Sequence, residues 1–178
     1  MKRIAIIVGH RESSRGAAAG GMTEWNYNRR VAALCRNTLV ARGVDAVMVY
    51  RPDEIRGLSK IPGILRDIKA DLAVSLHCNS VANQGVTGTE TWIGRESSRL
   101  LGAALQDAMV DLFGLRSRGV RTSGAGDRAR GLLDAVDWIP AALCEPGFLS
   151  NPSDRSLLRA RQSDYALVLT DVLEGFAR

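Results

Sequence analysis

Aromatic residues are scarce in this chain, with three each of Trp, Tyr and Phe in 178 positions. No aromatic residues are interleaved with a basic cluster, so the stacking surface that single-stranded nucleic acid prefers is missing and no nucleic-acid partner is expected. The excess of 24 basic over 19 acidic residues, a formal charge of +5, fits anionic lipid or an acidic cell-wall polymer equally well by its sign. Cysteine is rare too. Cys35, Cys78 and Cys144 form an odd set without paired spacing, which argues against a disulfide framework and for synthesis in a reducing compartment. No stretch approaches the roughly 20 apolar residues that cross a bilayer, so no membrane span is expected. The apolar run after Met1-Lys2-Arg3 stops at Gly9-His10, short of a secretory leader, so it reads as a first strand in a chain made in the cytoplasm without a signal peptide. Repeats at solenoid period are lacking, and 178 residues with 46% hydrophobic content fit one domain, residues 1–178, with a substantial core.

Histidine is the rarest informative residue, and both copies end similar runs. Ile4-Ala5-Ile6-Ile7-Val8-Gly9 leads into His10, and Leu72-Ala73-Val74-Ser75-Leu76 leads into His77, followed by Cys78-Asn79-Ser80. Each run has the length and residue types of a strand, and Asn and Ser after the second form a turn. A single strand-end histidine is usually structural. Two of them point to a shared metal site, because neutral imidazole is the commonest metal ligand and parallel α/β sheets gather their chemistry beyond the carboxyl ends of their strands.

Between them, residues 11–22 are rich in Gly and Ser and read as a loop. Thr23 is placed to cap a helix whose first residue is Glu24 and whose end lies near Ala41-Arg42-Gly43. Glu24 either complements the helix dipole or reaches back across the loop to share an ion with His10. Further along, Val44–Tyr50 reads as a strand closed by Arg51-Pro52-Asp53. A helix capped at Ser59 follows, with Ile61, Ile64, Leu65 and Ile68 at helical spacing. Val86–Ile93 alternates β-branched and polar residues and is expected to be a half-exposed strand near the sheet edge, in which Glu90 has no special claim. From Ser97 a helix buries a stripe that includes Leu100, Leu101, Leu105 and Met109. Gly114–Gly131 has five glycines, five arginines and no hydrophobic period, so it is expected to be a basic loop. Its residues Arg116, Arg118, Arg121, Arg128 and Arg130 are either solvated or in contact with an anionic group of a substrate.

Trp138–Leu143 repeats the strand-then-turn design, running through Cys144 into Glu145, with Pro146-Gly147 breaking it and Ser150-Asn151-Pro152 opening a capped segment. A carboxylate at the end of a buried strand costs solvation energy unless it is paired or used, which singles out Glu145 as a functional candidate. Cys78 and Cys144 alternate with these site residues and so face the core. A last helix begins at Ser163 and carries Leu169, Val172, Leu173 and Phe176.

Taken together, Gly9-His10, Glu24, Ser75-Leu76-His77-Cys78-Asn79-Ser80 and Glu145-Pro146-Gly147-Phe148-Leu149-Ser150-Asn151 resemble the type 3 family of zinc-dependent N-acetylmuramoyl-L-alanine amidases over nearly the whole chain. Val8 before Gly9-His10 and Arg11-Glu12 after it depart from the family's usual Asp-Pro and glycines. The resemblance implies an α/β fold, a central mostly parallel sheet flanked by helices. It implies hydrolysis of the amide between N-acetylmuramic acid and L-alanine in peptidoglycan, with His10, Glu24 and His77 as zinc ligands and Glu145 as the catalytic glutamate. Two histidines and a carboxylate leave zinc an open position for water, the arrangement of a catalytic rather than a structural site. The alternatives are a non-catalytic cell-wall-binding domain on the same scaffold and a phosphotransfer enzyme with a strand-end histidine nucleophile. The second wants an Arg before the histidine, where Gly9 stands. Oligomeric state is left open by the sequence.

Overall fold

The structure is a computed structural model that describes residues 2–51, 60–124, 130–134 and 136–178. In chain order the first elements are β1 (Ile4–Val8), β2 (Ala18–Ala19), β3 (Met22–Thr23), α1 (Glu24–Ala41), β4 (Ala46–Val49) and α2 (Ile61–Asp67). They are followed by β5 (Leu72–Leu76), β6 (Thr89–Ile93), α3 (Arg99–Phe113), β7 (Ser117–Thr122), α4 (Arg130–Leu133), β8 (Ala141–Glu145), α5 (Pro152–Ala160) and α6 (Gln162–Ala177).

Six strands form one sheet in the order β4-β1-β5-β8-β6-β7. The pairs β4-β1, β1-β5, β5-β8 and β6-β7 are parallel, and β6 runs antiparallel to β8. The sheet is therefore mixed but mostly parallel. β1 and β5 are buried at every position, because both faces of the sheet are covered. Ile4, Ile6, Val8, Val74 and Leu76 point into a core shared with Val31, Cys35 and Leu39 of α1, Leu101 and Leu105 of α3, and Leu169 and Leu173 of α6. The alternate residues Ala5, Ile7, Ala73 and Leu143 meet Ile61 and Leu65 of α2 and Leu132 and Leu133 on the other face. Cys35, Cys78 and Cys144 are free and buried.

Local signals set most boundaries. Thr23 caps α1 by accepting from Asn26 N–H at 3.4 Å, and Gly43, at φ +81°, ends it. Asn151 caps α5, its side-chain oxygen accepting from Ser153 N–H at 2.8 Å and Asp154 N–H at 3.1 Å, with Pro152 in the first turn. The predicted cap Ser59 and the turn at Pro52-Asp53 lie outside the described residues.

Several expectations need correction. The predicted loop 11–22 contains the short hairpin β2-β3. Leu100, assigned to the buried stripe, is 79% exposed, because α3 starts at Arg99 and turns its first residues outward. β6 lies inside the sheet between β8 and β7, and its polar residues are buried with partners: Thr91 donates to Gln106 Oε1 at 2.9 Å, and Gln106 Nε2 donates to the Thr89 carbonyl at 3.0 Å. The basic segment 114–131 is not all loop, since it supplies the edge strand β7. An edge strand pairs on one side only and here is half-exposed or exposed along its length, so no apolar alternation marks it. Gly119 at φ +84° and a register shift opposite Thr89/Thr91 break its periodicity further.

Candidate functional site

β1, β5 and β8 are neighbours that run the same way, so their carboxyl ends open at one rim of the sheet, the edge where open α/β sheets place their sites. His10 lies just past β1, His77 just past β5, and Glu145 is the last residue of β8. The pairing continues beyond the strands: Gly9 N–H donates to the Leu76 carbonyl at 2.9 Å and His77 N–H to the Cys144 carbonyl at 3.0 Å. Glycine is required at position 9, because a Cβ there would sit 2.2 Å from the Leu76 carbonyl oxygen and 2.8 Å from the His77 ring. His10 is then turned into the left-handed region, φ +66°, a strained conformation for a non-glycine residue.

Glu24 enters from the first turn of α1 and is only 3% exposed. His10 Nε2 lies 2.9 Å from its Oε2, and His77 Nδ1 lies 3.0 Å from its Oε1. Backbone donors complete the carboxylate's shell, with Ala17 N–H on Oε2 at 3.1 Å and Cys78 N–H on Oε1 at 3.0 Å. The β2-β3 hairpin and the preceding loop thus serve to bring the backbone of residues 15–17 against α1. Gly16, at φ +72°, closes the cradle: a Cβ there would lie 2.5 Å from Glu24 Oε2 and 2.6 Å from His10 Cδ2. Burial opposes ionisation of Glu24, yet hydrogen bonds from His10 and His77 and their charge overrule it and hold the carboxyl well below the usual carboxylate range.

The ligand-type atoms of His10, Glu24 and His77 all lie within 4.8 Å of one another, as one group of metal-binding type among the described residues. Their chemistry fits zinc, which takes histidine nitrogen and carboxylate oxygen in three-ligand sites. A second feature agrees: His77 Nδ1 faces Glu24, and the whole set is preorganised by backbone and by two glycines that no other residue could replace without a clash.

Glu145 is half-buried at the same rim of the sheet, its carboxyl oxygen 2.6 Å from Asn79 Nδ2. Burial and the neighbouring Glu90, with which it shares a hydrogen bond, push its pKa well above the ordinary carboxyl value. Glu90 departs the other way. Burial favours its neutral form, but hydrogen bonds from Glu145, Arg118 and the Trp92 indole outweigh that and lower its pKa. Cys78 and Cys144, one residue from site residues, face the core as alternation requires.

Glu90 is the residue that sequence reading missed. It is 3% exposed, the start of β6 sets it opposite Glu145, and Asn79 Nδ2 donates to its Oε1 at 2.7 Å. The arginines of the basic segment divide. Arg118 Nε donates to Glu90 Oε2 at 2.6 Å, with its guanidinium 5.1 Å from the Phe148 ring centroid, and Arg121 lies over Trp92 at 4.7 Å. Arg128 and the Arg130 side chain lie outside the described residues.

Residues 4–175 match the family model described as N-acetylmuramoyl-L-alanine amidase. The chain is 30% identical over 166 residues to the uncharacterized protein YqiI of Bacillus subtilis (strain 168), covering 90% of this chain and 77% of that one. It is 28% identical over 160 residues to the N-acetylmuramoyl-L-alanine amidase LytC of the same organism, covering 88% of this chain but 31% of LytC. The fold matches the catalytic domain of CwlV, an N-acetylmuramoyl-L-alanine amidase from Bacillus (Paenibacillus) polymyxa var. colistinus, with a TM-score of 0.86 at 24% identity, over 99% of this chain and 98% of that one.

Proposed function

Since the chain belongs to the N-acetylmuramoyl-L-alanine amidase family of enzymes, we propose that it is a single catalytic domain that hydrolyses the amide bond between N-acetylmuramic acid and L-alanine in peptidoglycan. His10, Glu24 and His77 hold a zinc ion, and Glu145 is the general base and acid. The observation that carries this reading is the buried Glu24 carboxylate held between two imidazoles at 2.9 and 3.0 Å. The net charge of +5 suits a wall polymer rich in anionic groups.

Zinc at this position supplies a Lewis acid that polarises the scissile carbonyl, acidifies water and, as a nearby cation, draws Glu145 toward its ionised form. The chain's own groups do the rest. Glu24, pinned by Ala17 N–H and Cys78 N–H, would hold its carboxylate oxygens in place as the third ligand, facing His10 Nε2 and His77 Nδ1. Glu145 accepts a proton from the attacking water and returns it to the amide nitrogen as the C–N bond breaks. The products are a lactyl carboxylate on the glycan and a free amino terminus on L-alanine. Asn79, donating to Glu145 Oε2, holds the carboxyl while it exchanges that proton. The described residues contain no helix long and apolar enough to cross a membrane, and the site of action proposed is the cell wall.

Glu145→Ala is expected to keep stoichiometric zinc by elemental analysis while losing release of amino termini from purified sacculi, on the order of a hundredfold or more for a lost general acid-base. A variant that releases peptides at the wild-type rate overturns the role given to Glu145. Wild-type protein that binds sacculi without cleaving them, with or without chelator, would mark a wall-binding domain instead.

A further inference from the structure

The antiparallel register of β6 on β8 sets Glu90 directly opposite Glu145. Two carboxyls facing each other across adjacent strands is an arrangement that sheets disfavour, and burying one of them adds to the cost. An apolar residue at position 90 would satisfy the sheet more cheaply. Instead the fold assembles donors around Glu90. Its Oε1 accepts from Asn79 Nδ2 at 2.7 Å and from Trp92 Nε1 at 3.1 Å; its Oε2 accepts from Arg118 Nε at 2.6 Å, with Arg121 3.6 Å away.

Asn79 connects this cluster to the site. Its backbone is fixed on both sides, N–H donating to the Gly147 carbonyl at 3.0 Å and carbonyl accepting from Leu149 N–H at 2.8 Å. Its side-chain oxygen accepts from Ser80 N–H at 3.0 Å. The amide nitrogen is thereby turned toward the glutamates, one N–H for each: Glu90 Oε1 at 2.7 Å and Glu145 Oε2 at 2.6 Å. Glu90 is the second of the two acceptors that fix this amide.

We propose that Glu90, clamped by Arg118 and Trp92, is a positioning residue that holds the Glu145 carboxyl in one orientation for proton transfer, chiefly by aiming the Asn79 amide at it and also by facing it across the strands. The inference rests on the amidase reading of Glu145. It assigns catalytic consequence to a residue that touches neither substrate nor metal ligand.

The test uses zinc-loaded protein and soluble peptidoglycan fragments, with kcat and KM measured separately for wild type, Glu90→Leu, Glu90→Ala, Glu90→Gln, Asn79→Ala and Glu90→Leu/Asn79→Ala. Glu90→Leu and Glu90→Ala both remove the acceptor, so a folding failure in one leaves the other to carry the measurement. Expected is a fall in kcat on the order of tenfold or more, as for residues that orient an active group from behind. KM and zinc content stay unchanged. Glu90→Gln, which still offers Oε1 to Asn79, recovers most of the loss. The double variant is slower than Asn79→Ala alone only by the direct contact between Glu90 and Glu145, so the two losses combine to less than their product. A folded Glu90→Leu or Glu90→Ala with wild-type kcat overturns the inference, as does a double variant in which the two losses multiply. Wild-type protein that releases no amino termini overturns the amidase reading itself, which is a distinct result.

Discussion

Glu145 has a folded-state pKa above its ordinary 4.5, raised by burial and by Glu90, and this fixes the sign of a pH effect on the metal-free protein. Below the ordinary value the group is neutral in both folded and unfolded chains and costs nothing. As pH rises through the folded value, the folded chain must ionise a carboxyl that its surroundings disfavour, and stability is lost. Metal-free Glu145→Gln is therefore expected to be more stable than metal-free wild type near neutrality, with the difference vanishing by about pH 4.5. Denaturant titrations of both proteins across that interval check it, and a gap independent of pH would count against the assignment. At this scale the sequence was informative where residue type and position coincide. His10 and His77 end apolar runs, Glu24 opens a helix, and Glu145 closes a strand, each signal being local. Glu90 gave no such signal because its meaning comes from what faces it across the sheet. The sequence reads β6 as a half-exposed strand near the edge, and only the reversed direction of that strand brings its first residues to the rim where the parallel strands end.

Among the elements, those with caps and a clear period were legible: α1 from Thr23 to Gly43, α5 from Asn151, and β1 and β5 as continuous apolar runs. β7 was not, since an exposed edge strand with a left-handed glycine carries neither alternation nor a β-branched run. Its arginines do in part what apolar side chains do elsewhere, spreading over Phe148 and Trp92. α5 matters to the site through its amino end. Asn151 caps it twice and donates to the Val86 carbonyl at 3.3 Å, while buried Asp154 accepts from Phe148 N–H at 2.9 Å and from the Thr87 hydroxyl at 2.5 Å. These bonds fix the turn from Glu145 to Asn151 on which the site depends. Asn151→Ala is expected to destabilise the fold by roughly 1–2 kcal/mol, the upper part of the range for a lost cap. Chemical denaturation measures this directly, and an unchanged midpoint would show that the cap is dispensable.

For the molecule as a whole, the three proposed zinc ligands come from the end of β1, the start of α1 and the end of β5, so the ion binds only the assembled rim. Binding to the folded state alone adds stability with concentration, about 2.7 kcal/mol at a hundredfold excess over Kd. For a chain of this size that corresponds to a rise in Tm of roughly 5–10 °C. Wild type and Glu145→Ala are expected to show this shift on adding zinc and to lose it with chelator, whereas His77→Ala shows none in differential scanning calorimetry. A shift of equal size in His77→Ala would place the ion elsewhere. The three thiols bear on the same rim in a different way. Cys35 and Cys144 are buried and hold their protons up to about pH 11 and about pH 12, and Cys78, also buried, follows His77 in the chain with its backbone N–H on Glu24. Alkylating reagents attack thiolates that they can reach, so the native chain carries three dormant handles. Covalent tagging at Cys78 becomes a clock for how often the histidine-bearing end of the sheet opens.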